Sequence, residues 1–311
     1  MTNLYDSGNM TVRAGGSILG GAFYEGSGHA AIMARGSVGA ATNSTLKVPG
    51  PAGSNTVPDM PLLAVDTGRI ALTAAGSLAF AGVVNPAELH RQLGSFADPR
   101  AASGIQGYTQ TAITLTMDTY GPDSGVNLVS LAGDVTIRPT PTFSRYGGNT
   151  GNATLYPASL QVAALGGSII TQGMFNPTGT STIAGTNPGI HLSASPHGAF
   201  ELLAQGSIDL TGGYTSANRL ANITPPTFSA GPSLFDAAFD PYRPNSGFSE
   251  SLDRPVLAHG PDFDDQIARI YALTGNITGV GTYTTGPLFV GYRRVEINRP
   301  TVVRAGGNIV D

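Results

Sequence analysis

Residues 202–208 read Leu202-Leu203-Ala204-Gln205-Gly206-Ser207-Ile208. Apolar side chains alternate up to a glycine, a short oxygen-bearing side chain follows, and a branched apolar residue restarts the pattern. Alternation with period two puts one face of a strand inward. Glycine then permits a sharp turn, and one with φ > 0 would need it. The serine hydroxyl is suited to hydrogen-bond the turn backbone. The seven residues therefore read as strand, turn, strand.

The same pattern recurs eight times, with its glycine at Gly16, Gly36, Gly76, Gly133, Gly167, Gly206, Gly275 and Gly307. Ser17, Ser37, Ser77, Asp134, Ser168, Ser207, Asn276 and Asn308 follow these glycines. Ile18, Val38, Leu78, Val135, Ile169, Ile208, Ile277 and Ile309 come next. Two positions before the glycine stand Ala14, Ala34, Ala74, Leu131, Leu165, Ala204, Leu273 and Ala305. Alanine there suits a narrow corner of a core, and the three leucines imply corners that are less tight. Four positions before it stand Val12, Ile32, Leu72, Val129, Ala163, Leu202, Tyr271 and Val303, read as core. The residue just before the glycine varies freely. Average residue usage would produce about one such match in a chain of this length. Eight matches establish a repeat.

Successive glycines are 20, 40, 57, 34, 39, 69 and 32 residues apart. Periods of about 20–50 residues mark solenoids, whose units bury their apolar faces only against neighbours. The shortest interval reads as one coil, the next as two coils with one signature lost, and the rest as one or two coils with insertions. A dozen coils at about 4.8 Å each would make a rod about 60 Å long. The expectation is an all-β, right-handed parallel β-helix (β-solenoid) filling residues 1–311 as one stretch. A propeller is disfavoured by the absence of Trp and by a repeat of only two short strands.

Composition agrees. The chain has 311 residues, 43 Gly and 22 Pro, too many helix breakers for a helix-rich fold. Its hydrophobic fraction of 41% is enough for a core, while charged residues are only 12%. The net charge of −4 and the single lysine, Lys47, argue against a nucleic-acid partner. With no cysteine, disulfides and thiolate chemistry are excluded. No apolar run is long enough for a membrane span, and the first residues do not read as a signal peptide.

Irregular stretches at 39–62, 83–125, 139–158, 171–189 and 211–268 read as insertions emerging on one face. A short helix is expected at 86–93, capped by Asn85, with Pro86 at its first position and Gly94 ending it.

The sequence points to no catalytic set, no metal site and no cofactor. His29, His90, His191, His197 and His259 lack metal-ligand spacing. Asp253, Asp262, Asp264 and Asp265, with Asp236, Asp240 and Glu250 upstream, could do glycosidase work or bind calcium. Neither calcium-loop spacing nor a calcium nonapeptide is present, and a solvated loop is the plainer reading. Nucleophile-elbow, phosphate-loop and zinc-protease motifs are absent.

Val12-Arg13-Ala14-Gly15-Gly16-Ser17-Ile18 and Val303-Arg304-Ala305-Gly306-Gly307-Asn308-Ile309-Val310-Asp311 resemble the turns of filamentous haemagglutinin-like exoproteins. Residues 246–257, Ser246-Gly247-Phe248-Ser249-Glu250-Ser251-Leu252-Asp253-Arg254-Pro255-Val256-Leu257, followed by 268–277, look like a C-terminal-side module of that family. Asn187-Pro188-Gly189-Ile190 is similar to a turn of its secretion domains. The resemblance implies two-partner secretion through an outer-membrane transporter. It implies a place on the bacterial cell surface, as an adhesin or a stalk presenting a toxin, in contact with a receptor or glycan on a host or neighbouring cell. The chain departs from a complete member in lacking a recognisable secretion domain and toxin domain. The competing class is a carbohydrate-active β-helix enzyme, a polysaccharide lyase or hydrolase, which would need charged residues stacked on neighbouring coils. Full signatures close to both termini predict further coils on both sides, or end-to-end association.

Overall fold

The computed structural model describes residues 8–40, 45–50, 53–58, 60–85, 120–138, 154–172, 190–193, 195, 198–210, 234–236, 267–280, 283–286, 289–292, 295–297 and 300–310. Among them every regular element is a strand. The helix expected at 86–93 lies outside the described residues.

Each signature forms one strand–bend–strand unit. The strands before the bends are Met10–Ala14, His29–Ala34, Arg69–Ala74, Gly125–Ser130, Ser159–Ala164, Phe200–Ala204, Ala268–Ala272 and Thr301–Ala305. They pair in parallel, in chain order, as one eight-stranded sheet. The strands after the bends begin at Ile18, Val38, Leu78, Val135, Ile169, Ile208, Ile277 and Ile309 and form a second eight-stranded sheet in the same order. A third set follows. Ala22–Glu25, Leu62–Val65 and Gly82–Val84 pair in parallel, as do Thr154–Tyr156, Ile190–Leu192, Leu234–Asp236 and Val295–Ile297.

These pairings correct the count of units. The 40 residues from Gly36 to Gly76 hold one unit, because His29–Ala34 pairs directly with Arg69–Ala74. The extra length contains an antiparallel hairpin, Thr45–Gly50 with Gly53–Pro58. The 69-residue interval is also one step, since Glu201 to Ala204 face Arg269 to Ala272. Closing a longer loop costs little extra free energy, about 0.6 kcal/mol per doubling, so interval length does not count units. Eight units make seven steps, about 34 Å at about 4.8 Å each, rather than the dozen entertained from spacing. Strands also fall inside stretches read as irregular: Leu234–Asp236 lies within 211–268, and Thr154–Tyr156 within 139–158. A further antiparallel hairpin, Tyr283–Gly286 with Phe289–Tyr292, lies between the seventh and eighth units, outside every stretch read as an insertion.

The register identifies the core. Val12, Ile32, Leu72, Leu128, Val162, Leu202, Ile270 and Val303 form one continuous column. Ala14, Ala34, Ala74, Ser130, Ala164, Ala204, Ala272 and Ala305 form the next. Facing them in the second sheet is the column from Ile18 through Ile309. With Leu63, Val83, Tyr156 and Ile190 from the third set, most of these side chains belong to a single apolar cluster.

The columns overturn part of the sequence reading. Leu131, Leu165 and Leu273 are not corner residues of the core; they are 49%, 49% and 54% exposed. In those three units the bend is one residue longer, so the small inward residue stands three positions before the glycine, not two. Val129, Ala163 and Tyr271 accordingly point outward, and Leu128, Val162 and Ile270 take the core positions. A one-residue slip reverses every side chain of a strand. The corner is therefore uniformly narrow, with Ser130 the sole departure from alanine in its column. Its buried hydroxyl accepts from the Gly133 N–H at 3.0 Å and lies 2.8 Å from the Gly76 carbonyl.

Candidate functional surface

The bends between the first and second sheets carry the eight signature glycines. None of these glycines has φ in the left-handed region; Gly20, Gly21, Gly82 and Gly279 do. The turn explanation for the repeat glycine is therefore replaced by another. From Gly36 onward each glycine lies against the bend of the preceding unit, and a Cβ would collide with it, whereas at Gly16 it would meet nothing within 4 Å. At Gly275 a Cβ would stand 2.6 Å from Gly206 C and from Ser207 N, and closer still to Ser207 Oγ. At Gly133 it would stand 2.6 Å from Ser77 N. Real Cβ contacts stay beyond 3.0 Å.

The residue after the glycine acts across the same junction. Ser37 N–H donates to Ser17 Oγ at 3.0 Å. From the fourth unit onward the bonds are continuous: Ser168 N–H to Asp134 Oδ1 at 2.7 Å, Ser207 N–H to Ser168 Oγ at 3.0 Å, Asn276 N–H to Ser207 Oγ at 3.1 Å, and Asn308 N–H to Asn276 Oδ1 at 2.7 Å. The side-chain oxygen thus satisfies a backbone donor of the next unit, not of its own turn. It occupies the space that the next glycine leaves by lacking a Cβ. Glycine and Ser, Asp or Asn are two halves of one rung.

The position just before the glycine is not free in every unit. A Cβ on Gly166 would approach Ala132 Cα to 2.8 Å, and one on Gly306 would strike the Leu273 carbonyl.

Outward side chains of the first sheet form a second kind of column, Asn127, Gln161, Glu201 and Arg269. Gln161 Nε2 donates to Glu201 Oε2 at 3.1 Å, and Arg269 forms an ion pair with Glu201. Two residues along the same outward face, the Arg304 guanidinium lies 5.5 Å from the ring centroid of Tyr271. Donors, an acceptor and an aromatic face are thus displayed together on units five to eight. Exposed ion pairs of this kind stabilise by at most about 1 kcal/mol, so the group adds little to the stability of the fold. Pattern alone hides it, because counting back from Gly275 places Tyr271 in the core.

Of the histidines, His29 is exposed at the start of its strand, and its N–H donates to Asn9 Oδ1 at 3.0 Å. His191 lies on Ile190–Leu192. His90, His197 and His259 lie outside the described residues, as do Asp240, Glu250, Asp253, Asp262, Asp264 and Asp265. Asp236 ends its strand. Among the described residues, no group of three His, Asp or Glu is placed to hold a metal, and no helix is long and apolar enough to cross a membrane.

Burial shifts two titratable groups in the interior. Burial pushes the Tyr156 phenol well up, partly offset by the nearby Arg138 charge, and lowers the Arg138 guanidinium. The Tyr156 hydroxyl donates to the Arg138 carbonyl. No family model, curated protein or solved structure matches the chain.

Proposed function

We propose that the chain is a run of right-handed parallel β-helix acting as a structural and adhesive stalk of a large secreted bacterial surface protein. The observation that carries this reading is the rung: eight bends in chain order, in which seven glycines lie against the preceding unit and a Ser, Asp or Asn oxygen bonds the next unit at five junctions. Such a column has meaning only if the units stack. Parallel strands joined by crossovers within one sheet are almost always connected in the right-handed sense, about 98% of the time, which supports that hand here. The resemblance to filamentous haemagglutinin-like exoproteins supports the surface location, export through an outer-membrane transporter of the two-partner type, and a receptor or glycan on a host or neighbouring cell as partner.

Adhesion rather than catalysis is the better reading of the outward face. Among the described columns Glu201 stands between Gln161 and Arg269, so an acid–base pair of carboxylates is not assembled there. The donors of Gln161 and Arg269 and the ring of Tyr271 suit contact with sugar hydroxyls.

A glycan panel scored for both binding and cleavage tests the proposal. Retention without turnover, weakened by Tyr271→Ala, is the expected result. Chelator-sensitive cleavage of an acidic polysaccharide would replace the stalk with an enzyme.

A further inference from the structure

Units four to seven, all with neighbours on both sides, carry two parallel columns on the outward face of the first sheet. The polar column is Asn127, Gln161, Glu201 and Arg269. Two residues further along each strand, Val129 faces Ala163, Ala163 faces Leu203, and Leu203 faces Tyr271. This second column is half-buried, and Leu131 and Leu165, half exposed, widen its apolar side at the bends. Residues two apart on a strand point to one face, about 6.6 Å from each other. Each unit therefore sets one hydrogen-bonding side chain beside one apolar side chain, at every step of about 4.8 Å. The pairing starts at unit four, because units two and three have Ala31 and Ala71 in the polar column. The bends alongside hold only residues 131–134, 165–168, 205–207 and 273–276. Longer connections such as 139–153 and 173–189 fall between the second and third strands of a unit, so the chain never leaves the stack between its first and second sheets.

We propose that this double column is a binding strip for an uncharged, unbranched polysaccharide laid along the stack. A sugar ring has an apolar C–H face and a rim of hydroxyls, and a linear chain of rings repeats both at a step close to one ring length. Ligand sites combine an apolar floor with a few placed polar groups in the same way. The strip offers no net charge, since Arg269 pairs with Glu201. Gln161 gives one N–H to Glu201, and an amide carries a second N–H and a carbonyl besides. Asn127 is exposed at the head of the same column. An acidic chain would meet one guanidinium already paired, beside a carboxylate, and a charge buried without a partner is costly. A heavily branched chain cannot keep its ring faces on the apolar column over successive steps.

The inference rests on the adhesive stalk proposed above and narrows its ligand to one class. Native-gel retardation of the full chain tests it with three soluble polymers: hydroxyethylcellulose, unbranched and neutral; glycogen, branched; and dextran sulfate, acidic. Hydroxyethylcellulose alone should retard the chain, equally at low and high salt, because no net charge is engaged. Leu203→Asp should weaken that retardation about tenfold or more, since its carboxylate would lose water beneath a ring face without gaining a partner. Gln161→Leu should weaken it while leaving the apolar column intact. Met33→Asp lies in the same outward column at unit two, beside Ala31 rather than a polar side chain, and should bind as the parent does. Glu201→Gln leaves Arg269 without its carboxylate and should add retardation by dextran sulfate that fades with salt. Circular dichroism spectra matching the parent would show each variant folded. Retardation by glycogen or dextran sulfate in place of hydroxyethylcellulose overturns the inference, as does retardation by none of the three, or equal weakening by Met33→Asp. Each of those results leaves the stalk reading standing, whereas cleavage of hydroxyethylcellulose would overturn both.

Discussion

Gly275→Ala tests the junction more sharply than any other single methyl group. The new Cβ would lie 2.6 Å from Gly206 C and Ser207 N, against an ordinary contact of 3.4 Å or more. Units six and seven would have to part locally by about 0.8 Å, the difference between those two distances. The bonds that cross that junction beside the glycine include Thr274 N–H to the Gln205 carbonyl at 3.0 Å, and two that the shift strains on either side of it, Asn276 N–H to Ser207 Oγ at 3.1 Å and Leu273 N–H to the Ala204 carbonyl at 2.9 Å. A shift of that size takes both beyond about 3.2 Å, where N–H···O bonds weaken. Each is worth about 1 kcal/mol, and overpacking adds about 1–3 kcal/mol. The expected loss is about 3–5 kcal/mol, or roughly 6–10 °C in Tm at about 2 °C per kcal/mol for a long chain. Gly16→Ala, in open space, should cost nothing and gains about 0.4–1 kcal/mol from a stiffer unfolded chain. Urea and thermal unfolding, followed by circular dichroism, would measure both. If Gly275→Ala melts with the parent, or if Gly16→Ala loses as much, close approach between units is not why these positions are glycine.

Other outcomes follow from the same geometry. Leu165→Ser should change stability by less than about 0.5 kcal/mol, as an exposed substitution, whereas Leu128→Ala should cost about 2–5 kcal/mol through a cavity; the reverse order would restore the shorter bend. Ser207→Ala should cost about 1 kcal/mol by orphaning the Asn276 N–H, and Ser207→Asn should recover most of it, as judged by urea midpoints. Tyr156 gives a pH dependence. Its phenol is held neutral in the fold, so the folded pKa lies above that of the unfolded chain. The unfolded state alone then loses the proton above about pH 10, and stability is full below that value and falls as pH rises. Tyr156→Phe should flatten that alkaline fall in a melting series, while losing about 1 kcal/mol at neutral pH with the bond to the Arg138 carbonyl.

The repeat was legible because its two halves are chemically conspicuous: a glycine, and an oxygen-bearing neighbour before a branched apolar residue. Neither depends on which turn geometry is used, so the bends at Gly36 or Gly206 could be found without knowing why glycine stands there. The reason was not legible. A left-handed turn and a close approach between neighbours call for the same residue, and only coordinates separate them. Counting units failed for a related cause. Loop length carries little free energy, so a hairpin such as Thr45–Gly50 with Gly53–Pro58 enters one unit without disturbing the pairing on either side.

The misreading at Leu131, Leu165 and Leu273 shows how local pattern and register compete. Counting back from the glycine places leucine inward and Ser130, Ala164 and Ala272 outward. That choice is attractive, because leucine is the more hydrophobic residue. Packing decides the other way. The corner is a column continuous with Ala14, Ala34, Ala74, Ala204 and Ala305, where the first sheet turns into the second. A leucine in three of eight layers would overfill it, at about 1–3 kcal/mol each. Lengthening the bend by one residue leaves each leucine about half exposed and keeps the column flush. Flush columns are what the rung requires, since the side-chain oxygen of Ser207 reaches the Asn276 N–H at 3.1 Å only while the bends of units six and seven stay superposed. The small corner residues and the rung are thus one constraint, and the exposed leucines are its consequence.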